Sequence, residues 1–215
     1  VAARDELGLS VIYPYVDAIN GLNSKAELPQ LMAKTLQQGG SNPFGWYVNN
    51  DAKSSSEYAL YLYQSGLGLP DRDYYSKQDD KFVTIRGQYK DYITQLFASL
   101  GYKEAEAVAA KVIELETKLA AAQWSRVESR DASKSYNKMS VGEANKLLGN
   151  FDLAAYLTAS NLQLDELIVS QPSYLEKLAD IYQQTDLTTW QHYLTFHFVN
   201  AHADKLSSDM VELQF

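Results

Sequence analysis

Apolar positions recur along this chain at two spacings, and the switches between them mark out its elements. Residues 13–21 predict a short helix closed by Gly21. Ser24 followed by Glu27 is a capping-box pattern, in which each side chain can satisfy a backbone N–H of the other residue. It opens a helix through Leu28, Leu31, Met32 and Leu36 that stops at Gly39-Gly40. Pro29 is tolerated there because the first turn needs no intrahelical N–H. The period then drops to two. Phe44, Trp46 and Val48 alternate with Gly45 and Tyr47, and Tyr58, Leu60 and Leu62 alternate with Ala59, Tyr61 and Tyr63. With residues 51–57 as a polar turn between them, this predicts a β-hairpin over about residues 44–63.

Residues 66–70, Gly-Leu-Gly-Leu-Pro, break the alternation, and residues 71–80 read as a polar connector. From Lys81 the period is helical, with Phe82, Ile85, Tyr89, Ile93, Leu96 and Leu100 on one face and Gly101 as the stop. A second long helix spans residues 104–124 on the stripe Val108, Val112, Leu115, Leu119 and Ala122, and its Lys111 and Lys118 surroundings read as a solvated face. Residues 125–138 are polar and irregular. Ser140 with Glu143 opens a helix ending near Gly149, residues 152–159 form a short helix, and residues 167–169 an isolated strand. Pro172 starts a helix through residue 184, and Asp186 caps a final long one through Trp190, Leu194, Phe198 and Ala201. The predicted fold class is mainly α, a multi-helix domain with one small β-hairpin near the N-terminus.

Composition narrows the function classes. An apolar fraction of 46% with 21% charged residues fits a folded globule rather than a disordered chain. The net charge of −8 argues against nucleic acid, whose affinity comes mainly from Lys and Arg. The absence of cysteine removes disulfides, thiolate ligands and thiol nucleophiles. The longest run without Asp, Glu, Lys or Arg, residues 187–203, carries Gln191, Asn200 and three histidines and is no membrane span. Residue 1 is Val, no signal peptide is visible, and residues 206–215 end on Val211, Leu213 and Phe215, so an excised or proteolytic piece is expected.

His192, His197 and His202 are spaced by five. Five residues turn a helix by about 140°, so neighbours diverge, whereas zinc ligands on one helix sit at i and i+4. Asp71, Asp73, Asp79 and Asp80 suggest a calcium loop, but Ser76 and Phe82 stand where an EF-hand starting at Asp71 needs Gly and Glu. Turn and helix-start roles explain these carboxylates better. Arg126 and Arg130, next to Asp131, can clamp a carboxylate or phosphate, or pin a loop to its neighbours, the commoner role. No phosphate-cradle or serine-elbow motif occurs. The residues thus name no catalytic, cofactor-binding or metal site.

The run from Gly66 to Tyr75, G-L-G-L-P-D-R-D-Y-Y, resembles the G-L-P-x-R-D-Y-Y signature in the non-catalytic region of neprilysin-like zinc metallopeptidases. That family includes endothelin-converting enzymes and many bacterial oligopeptidases. Asn42-Pro43-Phe44 with Val48 and Asp51, then Arg126, Arg130-Asp131 and Tyr136-Asn137-Lys138-Met139, are similar to family segments in the same order. So are Pro172 with Tyr174-Leu175, Trp190 with Tyr193-Leu194, and Leu206-Ser207.

The resemblance implies that residues 1–215 are the helical cap region of a larger metallopeptidase, truncated at both ends, with the catalytic zinc domain absent. The family's H-E-x-x-H and E-x-x-x-D zinc motifs have no counterpart here, so no catalytic or metal residue carries over and the piece alone is expected to be inactive. Zinc is expected in the missing C-terminal catalytic domain, where it would activate water for peptide hydrolysis beside a glutamate base. The implied partners are that domain and small peptides, admitted to a chamber of which this region forms a wall. Eukaryotic members carry disulfides, so the lack of cysteine implies a bacterial relative, periplasmic or exported, with a lipid anchor upstream as one possibility. The alternative is a stand-alone helical module that binds a peptide or protein without enzymatic activity.

Overall fold

The computed structural model describes residues 2–213. Its helices and strands follow in chain order as α1 (Ala2–Leu7), α2 (Tyr13–Asn20), a 3-10 turn (Lys25–Glu27), α3 (Leu28–Gln37), β1 (Phe44–Asp51) and β2 (Ser54–Gln64). Then come α4 (Asp73–Ser76), α5 (Asp80–Ser99), α6 (Ala105–Ala122), α7 (Arg126–Ser129), β3 (Asn137–Ser140), α8 (Val141–Leu147) and α9 (Leu153–Ala159). The last are β4 (Glu166–Val169), α10 (Pro172–Gln184), α11 (Leu187–His202), a 3-10 turn (Ala203–Lys205) and α12 (Ser208–Leu213). The fold is mainly helical, as the periodicity predicts, and the capping boxes at Ser24 and Ser140 are both formed. Asp186 accepts the Thr189 N–H at 2.7 Å, and Pro172 takes the first turn of α10.

α6 is the hub. Its stripe Val108, Val112, Leu115 and Leu119 is buried, and the small Ala109 and Ala120 let α5, α10 and α11 approach closely. Rings fill the space between helices: Tyr89 and Phe97 from α5, Tyr174 from α10, Trp190, Tyr193 and Phe196 from α11. Each fully buried ring of this size contributes on the order of 1.5–3 kcal/mol of transfer energy.

The sheet is larger than the predicted hairpin. Its order is β1-β2-β4-β3, with β2 and β4 parallel and the other two pairs antiparallel. The predicted strand at residues 167–169 is the core of β4, while β3 emerges from the segment read as irregular. Four residues are too few to show a period of two, and their partners lie far away in sequence. The hairpin turn is also tighter than residues 51–57. Asp51 already pairs with Ser54, so Ser54 to Glu57 belong to β2. That part of the hairpin is mostly exposed, so polar residues occupy strand positions there at no cost. Short helices α4 and α7 likewise interrupt the two segments read as connectors.

Candidate functional site

The G-L-G-L-P loop between β2 and α4 is held from below by a buried polar cluster. Gly66 has φ +89, and a Cβ there would run into the Tyr193 hydroxyl and the Asn42 carbonyl. Tyr193 O–H donates to the Gly66 carbonyl at 2.7 Å. A Cβ on Gly68 would overlap the Tyr89 hydroxyl, so both positions need glycine for close approach. Under the loop lies Glu116 of α6, 0% exposed. Its Oε2 accepts the Tyr75 hydroxyl at 2.6 Å and the Tyr89 hydroxyl at 3.0 Å, and faces the Gly68 N–H at 3.4 Å. His197 Nε2 stands 2.6 Å from Oε1. Burial first, then the Glu116 charge, push the Tyr75, Tyr89 and Tyr193 hydroxyls well above the usual phenol value. These hydroxyls keep their protons and serve as donors.

Above the cluster the loop borders a groove of about 530 Å³, lined by Leu67, Asp71, Arg72, Trp124, Arg126 and Gln171 among others. The Arg72 guanidinium donates to the Gln123 carbonyl, and Arg126 Nη2 lies 3.0 Å from Asp71 Oδ2. The pinning role therefore holds for Arg126. Arg130 is exposed, and Asp131 accepts from Ser133 and Lys134 within its own turn. Ser125 and Glu128 form a third capping box at the head of α7, visible in the sequence as S-x-x-E.

A second junction joins the hairpin to β3. Asp51, 2% exposed, accepts the Lys53 N–H at 2.9 Å and the Tyr136 hydroxyl at 2.7 Å, and Lys138 Nζ lies 3.1 Å from its other oxygen. These bonds, led by the Lys53 N–H, hold the Asp51 carboxyl down at about 2. The Lys53 ammonium sits 4.4 Å over the Tyr136 ring. Two motif segments some 85 residues apart are thus one ion-paired contact.

The histidines do not converge. His192 meets Phe97 and Tyr102 edge-on, His197 faces Glu116, and His202 Nδ1 lies 2.7 Å from the Phe198 carbonyl. Among the described residues no three His, Asp or Glu side chains stand close enough to hold a metal, so these residues do not fit zinc. Of the four aspartates, Asp71 accepts the Asp73 N–H at 2.9 Å and Asp73 pairs with Lys77 at 2.8 Å, while Asp79 heads α5 without a side-chain cap bond. The turn role accounts for Asp71, while Asp73 stands in an ion pair at the start of α4 and Asp80 lies in the first turn of α5. Glu116 was missed, hidden between the lysines of a face read as solvated.

The helix-rich fold that carries this loop has counterparts among known metalloproteases. The chain belongs to peptidase family M13, the model for whose N-terminal region matches residues 1–215. It is 30% identical over 178 residues to Neprilysin-3 of Drosophila melanogaster, covering 76% of this chain and 23% of that protein. It is 28% identical over 164 residues to human endothelin-converting enzyme 1, covering 73% of the chain and 21% of that protein. Among solved structures, the Mycobacterium tuberculosis zinc metalloprotease Zmp1 in complex with an inhibitor superposes with a TM-score of 0.93 at 28% identity, over 100% of this chain and 33% of that one. PepO from Lactobacillus rhamnosis shares the fold, with a TM-score of 0.81 at 18% identity. The chain thus spans about a fifth to a third of the length of these relatives.

Proposed function

We propose that this chain is the non-catalytic helical domain of a zinc metalloendopeptidase, and that it forms one wall of a chamber that admits small peptides and excludes folded proteins. The observation that carries this reading is the superposition of the whole chain on one third of a zinc metalloprotease. The chemistry of the chain agrees with a wall. The buried carboxylates described here, Glu116 and Asp51, are consumed by bonds that fix loops and strands. Zinc, its water and the general base belong in this reading to a catalytic domain elsewhere in the same polypeptide, which is the proposed partner of this region. In this reading none of the described residues takes part in bond cleavage. A bacterial, exported parent fits the cysteine-free sequence and the bacterial sources of Zmp1 and PepO.

The test uses the complete polypeptide against quenched fluorescent peptides of rising length and against one small protein, folded and unfolded. The expected result is kcat/KM falling with length and no cleavage of the folded protein. Equal cleavage of folded and unfolded protein overturns the chamber. Metal analysis of the 215-residue chain alone supplies a second check, since one tightly held zinc per chain would contradict a non-catalytic wall.

A further inference from the structure

Among the described residues the sheet is open, with β1 and β3 as its outer strands in the order β1-β2-β4-β3. The Ser65 N–H donates to the Pro43 carbonyl at 3.0 Å, and the register continues with Gly45 opposite Tyr63 and Tyr47 opposite Tyr61. Opposed residues in an antiparallel pair alternate between bonded and non-bonded. Gly45, Tyr47 and Asn49 therefore turn their main-chain groups toward β2, while Trp46, Val48 and Asn50 turn theirs outward. Asn50 is already occupied: Asn49 Oδ1 accepts its N–H at 2.9 Å, and its carbonyl accepts the Tyr61 hydroxyl at 3.0 Å. At the other end Phe44 is buried. The open part is a slot bounded at both ends, offering the outward N–H and C=O of Trp46 and Val48 over roughly 10 Å.

Exposed edges are normally guarded by charge, proline or a bulge. Phe44 to Asn50 carries no charge and no proline, and the register shift comes only at Asn50/Asp51, beyond the slot. Tyr47 is 44% and Val48 54% exposed. On one face Tyr47 stacks on Tyr61 with ring centroids 5.0 Å apart and leans on Tyr63 at 5.7 Å. On the other stand Val48 and the half-buried Trp46.

We propose that this slot takes an extended, uncharged peptide segment as a fifth strand of the sheet, pairing its main chain with Trp46 and Val48 and laying aromatic or β-branched side chains beside Tyr47 and Val48. A charged side chain there would lose water against tyrosine rings and gain no counter-ion. A second copy of the chain is the weaker occupant, because a stable dimer buries about 1,600 Å² and the slot offers two residues of main chain. The choice of a peptide over other extended chains rests on the peptidase reading above.

The experiment is amide hydrogen exchange on the complete polypeptide, with metal chelated so that no cleavage intervenes, in the presence and absence of acetyl-Thr-Val-Tyr-Val-Thr-amide. The expected result is exchange slowed about tenfold or more at Trp46 and Val48, with Tyr47 and Asn49, already in the ladder, unchanged. Val48→Pro removes the outward N–H and Val48→Lys guards the edge with charge, and either should abolish the protection while the far-ultraviolet spectrum is retained. No protection at Trp46 and Val48, or protection that survives Val48→Lys, overturns the proposal. Sedimentation showing a dimer that Val48→Lys dissociates would assign the edge to a second copy, which also overturns it. If the alternating pattern appears but the complete polypeptide cleaves no peptide, the peptidase reading fails and the slot stands.

Discussion

Removing the carboxylate at the centre of the buried cluster should loosen the loop above it by a calculable amount. Glu116→Ala leaves the Tyr75 and Tyr89 hydroxyls and the His197 ring nitrogen without the acceptor or partner they meet at 2.6, 3.0 and 2.6 Å. A buried polar group left unsatisfied costs about 1–3 kcal/mol, and three such groups lose a partner here. Water entering the void and re-pairing of the tyrosines keep these from adding fully, so about 3–5 kcal/mol is the expected loss. For a chain of this size that lowers Tm by roughly 6–20 °C. It is a large share of the total, since native stabilities are about 5–15 kcal/mol. The assay is thermal and urea unfolding followed by circular dichroism, run as a cycle with His197→Ala and the double variant. The two losses should fall short of additive by about 1 kcal/mol or more, because both remove the same contact. A Glu116→Ala loss below about 1 kcal/mol, or additivity within about 0.5 kcal/mol, would refute the view that this cluster fixes the loop.

Three further outcomes follow from the same geometry. Gly68→Ala puts a methyl into the Tyr89 hydroxyl and should cost about 1–3 kcal/mol in urea unfolding, whereas Gly87→Ala, open on all sides, should be neutral or stabilising. Asp51 has its carboxyl held at about 2 against an ordinary 3.8, so its contribution is present above the ordinary value and fades as pH falls toward 2. The unfolding midpoint of the parent should therefore drop more steeply over that interval than that of Asp51→Asn, and parallel curves would exclude the role. Ser140→Ala removes the hydroxyl that accepts the Glu143 N–H at 3.1 Å and should cost about 1 kcal/mol in the same unfolding assay.

The helices were legible because their signals are local. Ser24, Ser140 and Asp186 cap helices as their neighbours predict, and Pro172 sits where only a first turn accepts it. Of the sheet, the hairpin and the core of β4 were legible, but β3 and the pairing of both four-residue strands were not, because that pairing is decided by residues distant in sequence. Glu116 carried a signal that composition concealed. It lies four residues after Val112 and three before Leu119, on the buried stripe of α6, although the lysines at 111 and 118 suggest an exposed face. A carboxylate on an apolar stripe has to find donors, and Tyr75, Tyr89 and His197 supply them from elements no local pattern connects. The motif residues proved structural in the same way, since Asp51 and Lys138 meet only once the sheet has closed.

The parallel pairing of β2 with β4 sets an order of assembly. Tyr61 lies opposite Ile168, so the inner side of β2 has no neighbour until more than a hundred further residues have been synthesised. At ribosomal speeds that wait is about 5–20 s, during which the hairpin and the α5–α6 pair can form from local contacts alone. The Leu62 carbonyl, which accepts the Ser170 N–H at 2.9 Å in the finished sheet, has no strand partner on that side throughout that interval. Chaperone contact during biogenesis should accordingly centre on this strand and end when residues 166–169 leave the exit tunnel.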